Sequence, residues 1–317
     1  MRRIVLALLS ACTFGTAAQA AYVIETFTAP SSPGYTNALG LNDSASIAGG
    51  VLPSSGNYAS FVRKGGLTTV LSPPFPDLNT AFDINGAGTV VGQYTACTNA
   101  ASCADHAYRF NGVSYSTIDF PGAHITDPWS INNAGVVAGT YSLGYGPYLG
   151  YVMNTAGFIT IQVPGSSDTY VYGINDAGLM VGSYQIGGGK QHGFIYDGAV
   201  FTTVDAPGGG VVETVLRDIN DAGQIVGSFS DGITGHSFVL TGSTMTEFLF
   251  PGQPPLSLNG INNLGQIVGT ETNADGDLIG FLASPVPEPP VILLFALGVL
   301  GLRRGATARR ASPSNFR

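Results

Sequence analysis

This sequence predicts an all-β fold built from six copies of one four-stranded unit, and three observations carry the prediction. An asparagine set between two short apolar runs recurs at Asn42, Asn85, Asn132, Asn175, Asn220 and Asn262, with spacings of 43, 47, 43, 45 and 42 residues. Self-similarity at this period marks a repeat architecture. The composition agrees: 317 residues with 45 glycines, 44% hydrophobic and only 10% charged, suit short strands and tight turns rather than amphipathic helices. The third observation is a count. The aromatic centre of a third strand also occurs six times, at Phe61, Tyr108, Tyr151, Phe194, Phe238 and Phe281. A fourth strand follows only five of them, at 67–71, 115–119, 158–162, 201–205 and 245–249. Near the front of the chain, Tyr22-Val-Ile-Glu-Thr-Phe27 before Ala29-Pro30 resembles Tyr115-Ser-Thr-Ile-Asp-Phe-Pro121. That segment can complete the last unit and close the ring, which removes free sheet edges. The expectation is therefore a six-bladed β-propeller closed by its N-terminal strand.

Within one unit each element has a local cause. In Asp218-Ile-Asn-Asp-Ala-Gly-Gln-Ile-Val-Gly-Ser-Phe229, Asn and Asp cap a turn with their side chains and a glycine supplies positive φ. The flanking Ile/Val runs are too short for helices and predict a hairpin. A polar loop follows, then a third strand such as His192-Gly-Phe-Ile-Tyr196, a turn at Asp197-Gly198, and a fourth strand Phe201-Thr-Thr-Val-Asp205. Ala206-Pro207-Gly208 ends it, because proline cannot donate into a ladder.

Residues 1–20 predict a targeting segment: Arg2-Arg3, the apolar Ile4 to Leu9, and the small-x-small site Ala18-Gln-Ala20 before Ala21. The alternative is a lipobox, Leu9-Ser-Ala-Cys12, with lipid on Cys12. The repeat ring is expected over residues 21–284. Cys97 and Cys103 lie in one loop and, in an exported chain, are expected to form a disulfide; a metal site with Asp105 and His106 is the alternative.

Residues 21–288 carry 5 basic and 20 acidic side chains, a net of −15, which opposes binding to nucleic acid. No cofactor is expected beyond weak calcium binding, for which Asn273-Ala-Asp-Gly-Asp277 lacks the later glutamate of an EF-hand. The motifs of nucleotide-binding loops, serine hydrolases and zinc proteases are absent. The candidate catalytic residues are Asp83 and Asp218. Each lies two positions before a repeat asparagine, where the other units have Gly40, Ser130, Gly173 and Gly260. In a six-membered ring they face each other across the axis, as a carboxylate pair or as two caps of local turns. For ligand binding the freer loop aromatics are Tyr145 and Tyr148, whereas Tyr94, Tyr141 and Tyr184 end second strands and are expected in the core.

After residue 284 the character changes. Pro285-Val-Pro-Glu-Pro-Pro290 precedes the apolar Val291 to Leu302 and then Arg303-Arg304. Twelve helical residues span about 18 Å, short of a hydrocarbon core of roughly 30 Å. The order Pro287-Glu288-Pro289, apolar helix, Arg303-Arg304 resembles the PEP-CTERM sorting signal of Gram-negative bacteria. The resemblance covers 286–304 and implies processing by an exosortase, transient anchoring in the inner membrane by a short transmembrane helix, and delivery to the outer surface or the extracellular matrix. Residues 305–317 form a basic tail longer than that pattern. The repeats themselves resemble the HAF family of extracellular repeats, with His106-Ala-Tyr108, His192-Gly-Phe194 and His236-Ser-Phe238 as variants of its triplet; Ala59, Leu149 and Ile279 replace the histidine elsewhere. The functional expectation is a non-catalytic surface protein that binds or scaffolds exopolysaccharide or biofilm partners, with a carbohydrate-active enzyme as the alternative.

Overall fold

A computed structural model describes residues 5–11, 21–30, 32, 34–53, 56–74, 78–99, 102–249 and 257–286. The chain divides into Met1–Pro285 and Val286–Arg317. Of the second unit only Val286 is described, so Pro287, Glu288, Pro289, Arg303 and Arg304 lie outside the described residues, as do Cys12, Ala18 and Ala20. Among the described residues there is no helix, and none long and apolar enough to cross a membrane.

Six antiparallel units follow one another. Their first strands are Thr36–Leu41, Asn79–Ile84, Ile125–Ile131, Asp168–Ile174, Glu213–Ile219 and Ser257–Ile261. Each pairs with a second strand (Ile47–Val51, Val90–Asn99, Val137–Ser142, Met180–Gln185, Ile225–Ser230, Ile267–Thr272). The third strands are Ala59–Lys64, Ser102–Phe110, Leu149–Asn154, Gln191–Tyr196, Gly235–Thr241 and Leu278–Pro285. Outer strands complete five units: Leu67–Val70, Tyr115–Thr117, Gly157–Ile161, Phe201–Val204 and Thr244–Phe248. In the sixth, Ala21–Phe27 lies antiparallel to Leu278–Pro285 in the outer position. Val5–Ala11, inside the expected targeting segment, runs as a further strand between Ala21–Phe27 and Thr244–Phe248.

The recurring glycine of each second strand has a packing cause. A Cβ on Gly49, Gly92, Gly139, Gly182, Gly227 or Gly269 would meet the third-strand ring opposite it (Phe61, Tyr108, Tyr151, Phe194, Phe238 or Phe281) at 2.6–3.0 Å, and also a first-strand carbonyl. Those six rings are completely buried. The core is accordingly a set of separate aromatic and aliphatic clusters, not one central mass. Glycine lets the ring lie on the sheet backbone, so the apolar area of a large aromatic is removed from water, worth about 1.5–3 kcal/mol per side chain.

The hairpin turns carry the remaining repeat signal. Gly88, Gly135, Gly178, Gly223 and Gly265 have φ between +70° and +82°. The first copy has Ala45 at that place, and it keeps the left-handed conformation at φ 53°. Cys97 and Cys103 are joined by a disulfide across the second and third strands of the second unit.

Candidate functional site

The ends of the first strands build the axial site. Each repeat asparagine uses both ends of its amide. The Asn42 Oδ1 accepts from the backbone N–H groups of Ser44 and Ser46, both at 3.0 Å, closing its own turn. Its Nδ2 donates to the carbonyl of Asn85 in the next unit at 2.9 Å. The same donation runs from Asn85 to Asn132, Asn132 to Asn175, Asn175 to Asn220 and Asn220 to Asn262. Asn262 then donates to Asn42. Aspartate could close the turn but could not donate, which is why the position is an amide.

One residue further on, an exposed row of five bonds adds to that ring, open between Asp43 and Gly86 because glycine has no side chain to accept. The N–H of Gly86 donates to Asn133 Oδ1, Asn133 to Asp176, Asp176 to Asp221, Asp221 to Asn263 and Asn263 to Asp43, all at 2.7–2.8 Å. Each side chain thus satisfies a backbone donor of the preceding unit.

Two positions before the asparagines, Asp83 and Asp218 project into the channel from the second and fifth units. Asp83 accepts from Ile84 N–H (2.8 Å), Ile131 N–H (2.9 Å) and Ser130 Oγ (3.0 Å). Asp218 accepts from Ile219 N–H and Ile261 N–H, both at 2.8 Å. All four carboxylate oxygens are therefore engaged. Burial is the main cause that raises Asp83, to about 6, against the three donors that lower it. Burial, then the charge of Asp83, raises Asp218 well above the usual carboxylate range. The structure thus places both on one cavity and brings them together electrostatically, and their protons belong to the pair rather than to either residue. The small residues between them are explained as well. A Cβ at Gly40 would meet Asp83 side-chain and backbone atoms, and one at Gly173 would lie 3.0 Å from Asp218 Oδ1. The cavity bounded by these aspartates and the asparagine ring is about 70 Å³.

The remaining expected site residues lie elsewhere. Tyr145 is 80% exposed and meets the edge of His124, while Tyr148 stacks on Tyr170 with ring centroids 5.4 Å apart. The structure does not bring these two tyrosines together. His106, His192 and His236 bond the acidic residues Asp119, Asp205 and Glu247 of or just beyond their outer strands, at 2.6–2.8 Å. Each also stacks on a second-strand ring, Tyr94, Tyr184 or Phe229. No cluster of three metal-ligating side chains occurs among the described residues. Asn273 closes a turn by accepting from the N–H groups of Asp275 and Asp277.

A further layer of the channel was not legible in the motif. Every first strand carries a β-bulge just before its axial residue, between Ala38 and Gly40, Ala81 and Asp83, Asp127 and Ser130, Val171 and Gly173, Leu216 and Asp218, and Leu258 and Gly260. A bulge re-aims a side chain that regular alternation would place on the other face. The residues at the bulge are Leu39, Phe82, Trp129, Tyr172, Arg217 and Asn259. Phe82 stacks on Trp129 (4.4 Å, 22°), Trp129 meets Tyr172 edge-on (5.4 Å), and the Arg217 guanidinium lies over Tyr172 (4.8 Å). The available signal was variability: this position differs in all six copies, whereas the asparagine three positions on is constant.

No family model matches the chain, and no curated protein matches it. Among solved structures it is similar to a mutant of the Aleuria aurantia lectin in complex with Fucalpha1-6GlcNAc (TM-score 0.50, 13% identity, covering 80% of this chain and 97% of the lectin). A second structure of that fungal lectin, described as a six-bladed β-propeller with a novel fucose recognition mode, gives a TM-score of 0.48 at 11% identity, covering 80% of this chain and 93% of the lectin. Trypanosoma rangeli sialidase gives 0.47 at 8% identity, covering 97% of this chain and 62% of the sialidase. At such identities the likeness carries the fold alone: the chain is all-β, with β-propeller structural neighbours.

Proposed function

We propose that the chain is a six-bladed propeller, closed by Ala21–Phe27 as the outer strand of the sixth unit, that is exported and binds extracellular polysaccharide without cleaving it. The closure is supported by the pairing of that strand with Leu278–Pro285 and by the bond from Asn262 back to Asn42. Export is supported by the two terminal signals: cleavage after Ala20 and exosortase processing near Pro287-Glu288-Pro289. Cleavage after Ala20 removes Val5–Ala11 and leaves the sixth unit with four strands. N-terminal sequencing and intact mass of the secreted protein test both signals; an N-terminus at Met1 with an intact C-terminal tail sinks the export reading.

The observation that carries the non-catalytic reading is the commitment of all four oxygens of Asp83 and Asp218 to protein donors, beside a cavity of about 70 Å³. Ligand pockets run from about 300 Å³. A sugar ring does not reach this pair. The Aleuria aurantia lectin shows that a saccharide binder can use this fold. The second reading, a carbohydrate-active enzyme, is favoured by one observation, the raised Asp83–Asp218 pair, which is how acid and base roles are set apart. Titration of the secreted protein with the host's exopolysaccharide, following bound polymer and new reducing ends together, decides. Saturable binding at constant polymer length supports the binder. Shortening that Asp83→Asn abolishes, with folding intact, supports the enzyme.

A further inference from the structure

We infer that the cavity beside the first-strand bulges forms a binding site for a neutral saccharide, with Phe82, Trp129, Tyr35 and Tyr58 as its aromatic lining. The inference rests on the reading of the chain as a saccharide binder and gives that reading a place. A cavity of about 330 Å³ opens beside the bulges of the first three units. That volume falls in the range of small-molecule sites, which begins at about 300 Å³. Phe82 and Trp129 both line it and stack on each other, 4.4 Å apart, which holds the two rings fixed in the wall. Tyr35 and Tyr58 meet edge to face at 5.2 Å and form a second aromatic wall.

Amides and hydroxyls complete the lining, including Asn37 and Gln93, and no ionisable acid, lysine, arginine or histidine takes part. The Trp129 Nε1 is buried without a hydrogen-bond partner among the described residues. A buried donor left unpaired is costly, and a ligand hydroxyl reaching it relieves that cost. Aromatic rings suit the C–H face of a sugar, and amides suit its hydroxyls; Asn37 and Asn79 each spend Oδ1 on a protein donor, Thr270 Oγ1 and the Ser60 N–H, which fixes their orientation. A lipid tail would set these polar groups against hydrocarbon. An anionic sugar would find no cation in the lining, since Arg217 is engaged over Tyr172 outside it. From Trp129 the aromatic row continues through Tyr172, Tyr170 and Tyr148, with centroids 5.4–6.0 Å apart.

The chain has one tryptophan, Trp129, so its emission reports on this cavity directly. The experiment titrates the full-length protein with cellohexaose, maltohexaose and oligogalacturonate, following tryptophan emission and calorimetric heat in parallel. A saturable emission change with a neutral hexaose, weakened about tenfold in Gln93→Ala and in Trp129→Phe by calorimetry, supports the site. Calorimetric binding of a neutral hexaose without an emission change, and unaltered in Gln93→Ala, overturns the site and leaves the saccharide-binding reading standing. Binding of oligogalacturonate alone overturns the neutral class. Absence of heat with all three and with the host's own exopolysaccharide overturns both the site and the reading it rests on.

Discussion

The side-chain amide of Asn262 donates to the backbone carbonyl of Asn42 at 3.0 Å, joining residues 220 positions apart. It is the sixth of six equivalent bonds, so each asparagine both closes its own turn and ties its unit to the next.

Asn175→Asp separates these two roles. The variant keeps an oxygen for the Leu179 N–H but loses the donor to the Asn220 carbonyl and sets a carboxylate against it. A loss of about 1–3 kcal/mol is expected from the unpaired buried carbonyl. Urea denaturation of Asn175→Asp and Asn175→Ala checks this, and an aspartate variant as stable as the parent contradicts it.

Ala45 holds φ 53° where the other five turns have glycine. Ala45→Gly is expected to stabilise the protein by about 0.5–1 kcal/mol, because an L-residue in the left-handed region costs about 1–2 kcal/mol, partly offset by the entropy of glycine in the unfolded chain. The reverse change at Gly178, φ +82°, is expected to destabilise by about 1 kcal/mol. Thermal unfolding of the pair gives shifts of opposite sign.

Gly182→Ala tests a different cause. Here a Cβ meets the Tyr170 carbonyl and the Phe194 ring, in a strand with no unusual φ. Overpacking of this kind costs about 1–3 kcal/mol or more. The expected order of stability is Gly178→Ala above Gly182→Ala. Denaturant midpoints that reverse this order contradict the packing explanation of the second-strand glycine.

The axial carboxylates make stability depend on pH in the direction opposite to a salt-bridged aspartate. Asp83 is raised from 3.8 to about 6, Asp127 to about 7 by burial and then by Asp105, and Asp218 well above its ordinary value. With the folded value above the unfolded one, the native state binds more protons in that interval, so its stability is complete below about pH 4 and falls as pH rises towards 7. Other carboxylates add their own slopes, so the readout is a difference. Tm followed from pH 4 to 7 should fall less in the Asp83→Asn/Asp218→Asn variant than in the parent. Equal slopes would show that the pair is not raised.

The alternation of apolar residues, the turn asparagine and the strand-ending Pro-Gly placed most strands to within a few residues, because those signals are local and repeat. Asp83 and Asp218 stood out for the same reason, as departures from a small-residue position. The pocket aromatics did not. Phe82 and Trp129 occupy a bulge, where the period of two on which a sequence reading depends is broken, and Tyr35 and Tyr58 belong to a unit that shares no local pattern with Trp129. Tyr148 was singled out beside Tyr145, yet its ring partner is Tyr170, twenty-two positions further along the chain.

By itself the sequence determined the repeat, its strands and turns, and which residue types recur at each place, since hydrophobic period and turn chemistry act within a few residues. Only the tertiary structure decided what faces what across units. It set the second bond of each asparagine, the crowding that keeps Gly40 and Gly173 bare, and the coupling of two aspartates 135 positions apart. It also stacked Phe82 on Trp129. Such contacts depend on how separate units pack against one another, and sequence spacing carries no record of that geometry.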